Sequence, residues 1–301
     1  MTAPLYTVVI PVYNREHLLE KTLRSVLEQT CQDFEIVVVD DGSRDRPQDV
    51  VAKMGDDRIR IIHQENAGGG AARNNGILNA RGQYVALLDS DDLFLPAKLE
   101  KYARYFPLEE HTVLYSSMQV DRGVEKYWVR PDRGIHDGED VGEYLFCANQ
   151  LIQTSTIVLP TPLAQQVLFD PKLRRGQDLD FCIRLQRHGA KFKFINEPLT
   201  IWFDDTEQGR TSYVNGYENS SNWLARAEPM LTRKAVLGYR ATVLAYHLGH
   251  VHPLTAASDL VKGWAMGGVS SRVIARQALR SFLPRSSYRR LVNMFVSSFG
   301  R

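Results

Sequence analysis

Residues 84–92 of the chain read YVALLDSDD, an apolar run that ends in three carboxylates. A run of this kind is typical of a strand buried in a parallel sheet. Because open α/β sheets bind ligands at the carboxyl ends of their strands, we expect Asp89, Asp91 and Asp92 to lie at a binding edge. Carboxylates this close raise one another's pKa unless water or a cation is present, and hard ions such as Mg²⁺ or Mn²⁺ prefer such oxygens. The alternative is a solvated turn in which an aspartate caps a helix ahead of Pro96.

Strand and helix alternate four times before this stretch ends, which predicts a parallel sheet with right-handed crossovers. The predicted strands are residues 6–11, 34–39, 60–63 and 84–88. Each is followed by a polar loop, and loops after parallel strands share one rim of the sheet. We therefore expect one crevice lined by Tyr13 with Asn14, Asp40 with Asp41, the glycine loop at 68–70 and the Asp89 cluster.

The chain between residues 107 and 205 mixes shorter elements with irregular segments. Further strands are predicted at 113–117, 156–159, 191–195 and 199–203, and an irregular excursion at 121–138. Asp178 stands where an N-cap would stand, at the start of a helix that ends near His188.

Length and composition indicate one large soluble domain, or a domain with an appendage. The chain has 301 residues, of which 44% are hydrophobic and 24% are charged. No apolar run is long enough to cross a bilayer, and no signal peptide is expected because a strand pattern begins at Tyr6. The three cysteines are scattered, which indicates a reducing compartment without a disulfide framework. We therefore predict a cytoplasmic protein.

Positive charge is concentrated at the end of the chain. Residues 222–301 carry twelve Lys or Arg against two acids, whereas the net charge of the whole chain is +2. An apolar stripe in residues 288–299 has helical spacing, and the preceding helix presents on one face Arg272, Arg276 and Arg280. The tail could form an interfacial helix on anionic lipid at the inner membrane face. The alternative is a contact with protein, either as a helical cap on the catalytic domain or in a homo-oligomer. We predict no nucleic-acid partner.

Five short motifs, in order, resemble glycosyltransferase family 2, a family of inverting enzymes with the GT-A fold. They are residues 10–15 (IPVYNR), 38–43 (VVDDGS), 68–77 (GGGAARNNGI), 88–92 (LDSDD) and 176–181 (GQDLDF). The resemblance covers about residues 6–205. It implies an α/β GT-A fold, with a mostly parallel central sheet flanked by helices. The implied division is a catalytic domain at 1–215, with a nucleotide-binding half at about 1–106 and an acceptor-side half at about 107–215, and a basic helical C-terminal extension at 216–301.

The resemblance also implies a nucleotide-sugar donor, with a UDP-sugar as the expected class, and the residues that bind it. The implied donor-binding residues are Pro11, Tyr13, Asn14, Asp41, Gly69, Arg73, Asp89, Ser90 and Asp91. Asp41 would accept a hydrogen bond from uracil, and Arg73 would pair with the diphosphate or the base. For Asp41 the alternative is a structural role, in which Asp40 and Asp41 together hold the turn. For Arg73 the alternative is a structural salt bridge.

For catalysis the resemblance implies a divalent metal, Mn²⁺ or Mg²⁺, held by Asp91 and Asp92, and a general base at Asp178. The metal would neutralise the leaving nucleoside diphosphate. Asp178 would deprotonate the acceptor hydroxyl that attacks the anomeric carbon. Asp178 could instead be a simple N-cap, and Asp180 is the rival candidate for the base.

The chain departs from the family pattern at two places. Gln177 stands where many relatives carry Glu, and residues 201–205 (IWFDD) replace a Tyr-x-Arg-x-His motif. The family's histidine contact with the metal or the diphosphate therefore has no histidine to make it here. Two alternatives stay open: Asp204 substitutes for that histidine, or this segment binds the acceptor. Trp202 either stacks on a sugar or lies in the core.

These features predict an inverting, metal-dependent glycosyltransferase that moves a sugar from a nucleotide sugar to a hydroxyl of a glycan or lipid-linked acceptor. The alternative is a catalytically inactive relative that binds nucleotide or glycan and acts as a scaffold through its tail.

Overall fold

The computed structural model describes residues 3–204 and 216–300, and within these ranges nine strands form one sheet. The strands are β1 (Tyr6–Val12), β2 (Phe34–Asp40), β3 (Ile59–His63), β4 (Tyr84–Leu87), β5 (Leu93–Phe94), β6 (Thr112–Asp121), β7 (Trp128–Arg130), β8 (Val158–Pro160) and β9 (Lys191–Phe203). They lie in the order β3-β2-β1-β4-β8-β6-β9-β5, and β7 pairs with β6.

Helices flank the sheet and make up the tail, which confirms the predicted α/β class and the helical extension. The helices before residue 204 are α1 (Glu16–Leu27), α2 (Pro47–Met54), α3 (Gly69–Leu78), α4 (Lys98–Ala103), α5 (Thr161–Val167) and α6 (Gln177–Arg187). The tail contains α7 (Gly216–Ala227), α8 (Arg233–Tyr239), α9 (Ala245–Leu248), α10 (Pro253–Ala265), α11 (Ser271–Phe282) and α12 (Arg285–Phe299).

The strands β1 to β4 are parallel, as the alternation of strand and helix predicts. β1 lies between β2 and β4, where Val9 pairs with Val37 on one side and with Leu87 on the other. β3 lies on the outer side of β2. β2 is buried at every residue and β1 at every residue except Pro11, which explains their unbroken apolar sequences. The four polar loops therefore emerge at one edge of the sheet.

The other half of the sheet is mixed. β8 is antiparallel to β4, and β9 runs parallel to β6. Residues 191–195 and 199–203, predicted as two strands, form the single strand β9, because the pairing with β6 continues through an irregularity between Ile195 and Pro198. The segment 121–138 contains the short strand β7, antiparallel to β6.

The tail folds against the body of the protein. Trp223 of α7 and Tyr239 of α8 pack on Phe146, with ring centroids between 4.7 and 5.9 Å apart. These rings belong to the buried cluster that includes Val9 and Val85 of the sheet. The helical cap is thus one of the tail's roles in this structure. No helix in the described part of the chain is long and apolar enough to cross a membrane. The predicted domain boundary after residue 215 falls at the end of a segment, 205–215, that lies outside the described residues.

Candidate active site

Asp41 ties the glycine loop to the end of β2. Its carboxylate accepts hydrogen bonds from the backbone N–H groups of Ala67 and Gly68 and from Nε2 of Gln64, each at 2.8 Å. Gly68 has φ of 96°, a conformation that glycine adopts without strain. The Asp41 carboxylate therefore has a structural role in this structure, but it holds the glycine loop rather than its own turn. Its contact with uracil stays a prediction.

The loops after β1 and β2 are joined by hydrogen bonds. The backbone N–H of Asn14 donates to Oγ of Ser43 at 3.0 Å, and Oδ1 of Asn14 accepts from the N–H of Arg44 at 2.7 Å. Asp40 accepts from the N–H of Ser43 at 2.9 Å, so it holds the turn as predicted. The ring of Tyr13 is exposed beside these loops.

Arg73 joins the glycine-loop helix to two other elements of the site. It lies in α3, whose close packing on β1 depends on Gly76, because a Cβ atom there would lie 2.4 Å from Cγ1 of Val9. Its guanidinium pairs with Asp89 and donates from Nη1 to Oε1 of Gln177 at 2.6 Å. Arg73 is buried, and its Nε has no hydrogen-bond partner among the described residues. The salt bridge that was the alternative for Arg73 is therefore present, and its contact with a diphosphate stays a prediction.

Asp91 is the more exposed carboxylate of the pair Asp91 and Asp92. Its Oδ2 lies 2.5 Å from Nη1 of Arg15, and both side chains are about one-third exposed. The ion pair joins the loop after β4 to the start of α1. Ser90 is buried, and its carbonyl accepts a hydrogen bond from Thr22 at 3.0 Å. The loop backbone is therefore fixed while Asp91 stays near the surface.

Asp92 lies beneath this loop and is almost fully buried. Its Oδ2 accepts hydrogen bonds from Oγ of Ser155 at 2.6 Å and from Nε2 of Gln153 at 2.7 Å. Burial raises the pKa of Asp92, and the charges of Asp91 and Asp89 add to the rise. The role of Asp92 as a metal ligand stays a prediction, since a cation at the surface would have to draw the carboxylate away from these two donors.

Asp178 lies in the first turn of α6 and lines the same cleft as Arg73 and Asp89. The N-cap alternative is wrong, because Gly176 occupies the N-cap position with φ of 61°. Oδ1 of Asp178 accepts from the N–H of Leu179 at 3.0 Å. Burial raises the pKa of Asp178 and the charge of Asp89 adds to the rise, whereas the Leu179 N–H and Arg73 oppose it.

Asp180, the rival candidate for the base, has a structural position. Its Oδ1 accepts from Nε1 of Trp223 at 3.0 Å, and its Oδ2 pairs with Nε of Arg184 at 2.7 Å. The carboxylate is buried and connects α6 to the tail helix α7. We therefore retain Asp178 as the candidate base.

The cleft that contains Asp178 has a volume of about 830 Å³, and the tail forms one of its walls. Within the described ranges, the aspartates that line it are Asp89, Asp178 and Asp204. The arginines that line it are Arg73, Arg122, Arg130, Arg174, Arg175, Arg276, Arg280, Arg285 and Arg289. The cleft is therefore strongly positive, and much of this charge comes from the tail.

The segment that replaces the family's Tyr-x-Arg-x-His motif also reaches this cleft. Trp202 and Asp204 both line it, and Trp202 is partly exposed rather than a core residue. Asp204 pairs with Arg122, and its backbone carbonyl accepts from Arg289 of α12 at 3.3 Å. Asp205, the last residue of the segment, lies outside the described residues.

Several side chains that orient the aspartates were missed by sequence reasoning. Arg15 is the last residue of the 10–15 motif, and its charge was a usable signal for a partner among the aspartates. Gln153 and Ser155 belong to a segment without a recognisable motif. Lys98 is fully buried and donates to the carbonyl of Ser155 at 3.0 Å, beneath the same loop.

Comparisons with known proteins agree with this arrangement. The family model described as Glycosyl transferase family 2 matches residues 7–159. The amylovoran biosynthesis glycosyltransferase AmsB of Erwinia amylovora is 33% identical over 246 residues, which cover 78% of this chain and 82% of AmsB.

Solved structures of low sequence identity share the fold. TarS 1–349 of S. aureus, in complex with UDP-GlcNAc, has a TM-score of 0.64 at 19% identity. The aligned region covers 99% of this chain and 89% of the TarS chain. The mannosyltransferase PcManGT from Pyrobaculum calidifontis, in complex with GDP-Man and Mn²⁺, has a TM-score of 0.59 at 16% identity. The aligned region covers 99% of this chain and 88% of the PcManGT chain. With half of the chain matched by the family model and most of AmsB covered, this chain belongs to glycosyltransferase family 2 and has the GT-A fold.

Proposed function

We propose that this chain is an inverting, metal-dependent glycosyltransferase that moves a sugar from a nucleotide sugar to a hydroxyl of a glycan or lipid-linked acceptor. The observation that carries the proposal is Asp178, a carboxylate with a raised pKa that lines the cleft beside Asp89. Family membership supports the reaction class. The ligands of the two structural neighbours, UDP-GlcNAc and GDP-Man, support a nucleotide-sugar donor.

We assign donor binding to the loops after β1, β2 and β4 and to the glycine loop. Asp41 fixes the backbone at Gly68 and so shapes the proposed base pocket, with uridine as the proposed nucleoside. Tyr13 offers an exposed ring at this edge. A Cβ atom at Gly69 would lie 3.2 Å from Nη1 of Arg73, so the glycine lets the guanidinium lie close to the loop backbone. Arginine binds diphosphate through paired N–H groups, and we assign the donor diphosphate to this guanidinium.

The carboxylates after β4 suit a divalent cation that is shared with substrate phosphates. No group of three or more His, Cys, Asp or Glu in the described residues forms a protein-only metal cage. Mg²⁺-type sites commonly use one or two carboxylates and complete the shell with phosphate oxygens and water. We assign the metal to Asp91 with Asp89 as support, and we assign Asp92 to holding the loop. The bound ion would neutralise charge on the leaving diphosphate, and the Mn²⁺ bound to the Pyrobaculum enzyme supports its identity.

Asp178 would take the proton of the acceptor hydroxyl as that oxygen attacks the anomeric carbon. The new glycosidic C–O bond forms on the face opposite the diphosphate while the bond to the diphosphate breaks, so the configuration inverts. The N–H of Leu179 fixes the orientation of the Asp178 carboxylate. The raised pKa brings this base closer to neutral pH, where a general base is most effective.

A screen of nucleotide sugars for Mn²⁺-dependent release of nucleoside diphosphate tests the proposal and identifies the donor. We expect release from one donor class with Mn²⁺ and none with EDTA. The scaffold alternative predicts Mn²⁺-dependent binding of UDP in calorimetry without release from any donor. That result, obtained also in the presence of a membrane extract as a source of acceptor, would overturn the enzymatic proposal.

We also propose that α12 contacts the anionic inner face of a membrane. One side of α12 packs on the body, where Val296 is fully buried. The opposite side exposes Leu291 and Met294 at 49% and 62%, and Phe299, at the last turn of the helix, is 75% exposed. The positive charge of residues 222–301 complements anionic lipid, and apolar side chains on an amphipathic helix add affinity for the interface. A lipid-linked acceptor would be available at the same surface.

A further inference from the structure

Three arginines lie in the cleft apart from the groups assigned to the donor, the metal and the base. Arg130 comes from β7, and Arg276 and Arg280 come from successive turns of α11. All three line the cleft that contains Asp178. We call them the β7–α11 arginine cluster.

The positive charge of the cluster is poorly compensated by carboxylates. Asp132, which is mostly exposed, lies 3.6 Å from Arg130. Within the described residues no ion pair involves Arg276 or Arg280, and Arg280 stacks over the ring of Tyr246 at 4.3 Å. Burial lowers the pKa of Arg276, and the charges of Arg130 and Arg280 lower it further. Gathering like charges in a partly buried place costs free energy, which a bound anion would offset.

Two almost fully buried side chains here have polar atoms without partners in the described structure. Arg130 is 8% exposed; its Nη2 donates to the carbonyl of Asn149 at 2.7 Å, but its Nε has no hydrogen-bond partner. Gln277 is 2% exposed; its Nε2 donates to Oδ1 of Asn149 at 3.1 Å, but its Oε1 has no partner. Both side chains line the cleft. Buried polar atoms are normally paired, so these two indicate a ligand that accepts from arginine and donates to an amide oxygen.

We propose that the β7–α11 arginine cluster binds a phosphoryl group of the acceptor, with a hydroxyl beside it donating to Gln277. This inference rests on the proposed transferase function and names the class of acceptor, a phosphorylated molecule. Guanidinium groups bind phosphate through paired N–H donors, and several of them together suit a group with more than one negative charge. The donor diphosphate is assigned to Arg73 of α3 and to the metal on Asp91 in the loop after β4, whereas the cluster belongs to β7 and α11, so the two phosphate sites use different elements around one cleft.

Calorimetric titration with inorganic pyrophosphate in EDTA tests the cluster without a metal. We expect the double variant Arg276→Gln with Arg280→Gln to bind pyrophosphate at least about tenfold more weakly than wild type. The control is Arg290→Gln, an exposed arginine of α12 that does not line the cleft, and its affinity should be unchanged. The double variant Arg276→Lys with Arg280→Lys keeps the charge but not the paired donors, so it should weaken binding less than the glutamine double variant does. Equal affinity in wild type and the glutamine double variant would overturn the proposal.

Binding of UDP with Mn²⁺ separates this cluster from the donor site. The glutamine double variant should bind UDP as wild type does, and an equal loss of UDP affinity would show that the arginines serve the donor, which overturns the proposal. Its melting temperature should not fall, because the change removes repulsion between like charges. The two proposals can fail separately. If wild type releases nucleoside diphosphate from no donor, but the glutamine double variant binds pyrophosphate more weakly than wild type, the transferase function is wrong and the arginine cluster is still an anion-binding site.

Competition experiments distinguish two sources of the phosphoryl group. Glucose 1-phosphate represents a soluble acceptor, and prenyl phosphate in phosphatidylcholine vesicles represents a lipid-linked one. Displacement of pyrophosphate by the vesicles alone supports the proposal with a lipid-linked acceptor, and displacement by glucose 1-phosphate supports it with a soluble one. Displacement by neither would overturn it.

Discussion

Asp178 differs from the other aspartates near the sheet edge in what its carboxylate contacts. Asp89 and Asp91 each pair with an arginine, and Asp92 accepts two hydrogen bonds in the interior. Asp178 accepts a backbone N–H, and no ion pair involves it among the described residues. A partly buried carboxylate without a cation partner has a raised pKa, which suits a general base.

The pH dependence of turnover should therefore show an acid limb set by Asp178. Only the ionised carboxylate accepts a proton, so kcat/KM should rise with pH through a pKa above the value of about 4 of an ordinary aspartate. Initial rates at subsaturating donor across the acid range measure this limb. A limb at or below about pH 4 would be inconsistent with Asp178 as the base.

The same raised pKa predicts how Asp178→Asn changes stability. The folded protein holds this proton more tightly than the unfolded chain does. The stability from this group is therefore fully present below the unfolded pKa and is lost as pH rises through the folded pKa. At neutral pH the amide removes a costly charge, so differential scanning calorimetry should show an unchanged or higher melting temperature. A clearly lower melting temperature would mean that the carboxylate has a structural role.

Substitutions at Asp91 and at Asp92 should have different effects, the first on metal binding and the second on stability. Asp91→Asn should weaken Mn²⁺-dependent UDP binding and leave the melting temperature nearly unchanged, because its side chain is partly exposed. Asp92→Ala removes the acceptor of the two short buried hydrogen bonds from Ser155 and Gln153 and should lower the free energy of unfolding by about 1–3 kcal/mol. Calorimetry with UDP and Mn²⁺, together with urea denaturation, measures both effects. The opposite pattern would restore Asp92 as the principal metal ligand.

At the scale of elements, α6 connects the cleft to the tail. Asp178 of this helix lines the cleft, and two residues later Asp180 accepts a hydrogen bond from Trp223 of α7. The docking of α7 therefore helps to fix the helix that carries the proposed base. The aromatic packing of Trp223 on Phe146 and Tyr239 adds to this connection.

Trp223→Phe should lower the free energy of unfolding by about 1.5–3 kcal/mol, because it removes a buried hydrogen bond to a charged group and keeps the aromatic ring. Trp264→Phe is the matched control. It removes an exposed hydrogen bond to Ser271 and should change stability by less than about 0.5 kcal/mol. Urea denaturation of both variants gives the comparison, and equal stability of the two would argue against the connection between α6 and α7.

Much of this scaffold could be predicted from the sequence because its signals are local. The apolar runs that become β1, β2 and β4 and the glycine loop before α3 are short-range patterns. The hydrogen bonds of Asp92 to Gln153 and Ser155 join residues 61 and 63 positions apart, and they depend on β8 lying beside β4. Such long-range contacts have no local pattern, so sequence reasoning missed them.

At the scale of the whole molecule, the composition shows that positive charge is concentrated in the tail. It does not show towards which part of the protein that charge faces. The sequence placed Arg276 and Arg280 on one helix face. Only the folding of the tail against the body shows that they line the cleft with Asp178. The same packing buries Val296 of α12 and leaves Leu291 and Met294 exposed, so the helical cap and the proposed membrane surface belong to opposite sides of one helix.

Vesicle flotation tests the membrane surface. Wild type should float with vesicles that contain phosphatidylglycerol, and less at high salt, because charge screening weakens the attraction. Replacing Leu291, Met294 and Phe299 with serine should abolish flotation, whereas the control Leu78→Ser, at an exposed leucine of α3, should not change it. Flotation of the triple variant at the wild-type level would exclude these exposed apolar side chains of α12 as the contact.

The assignment of Asp178 as the general base is tested by the release of nucleoside diphosphate from wild type, Asp178→Asn and Asp91→Asn. The release is measured with Mn²⁺ and the donor that the screen identifies. We expect Asp178→Asn to bind the donor with wild-type affinity and to release nucleoside diphosphate at least about 100-fold more slowly, because it keeps the binding groups and loses the base. We expect Asp91→Asn to lose affinity for the donor. Release by Asp178→Asn at the wild-type rate would contradict the assignment of Asp178 as the general base.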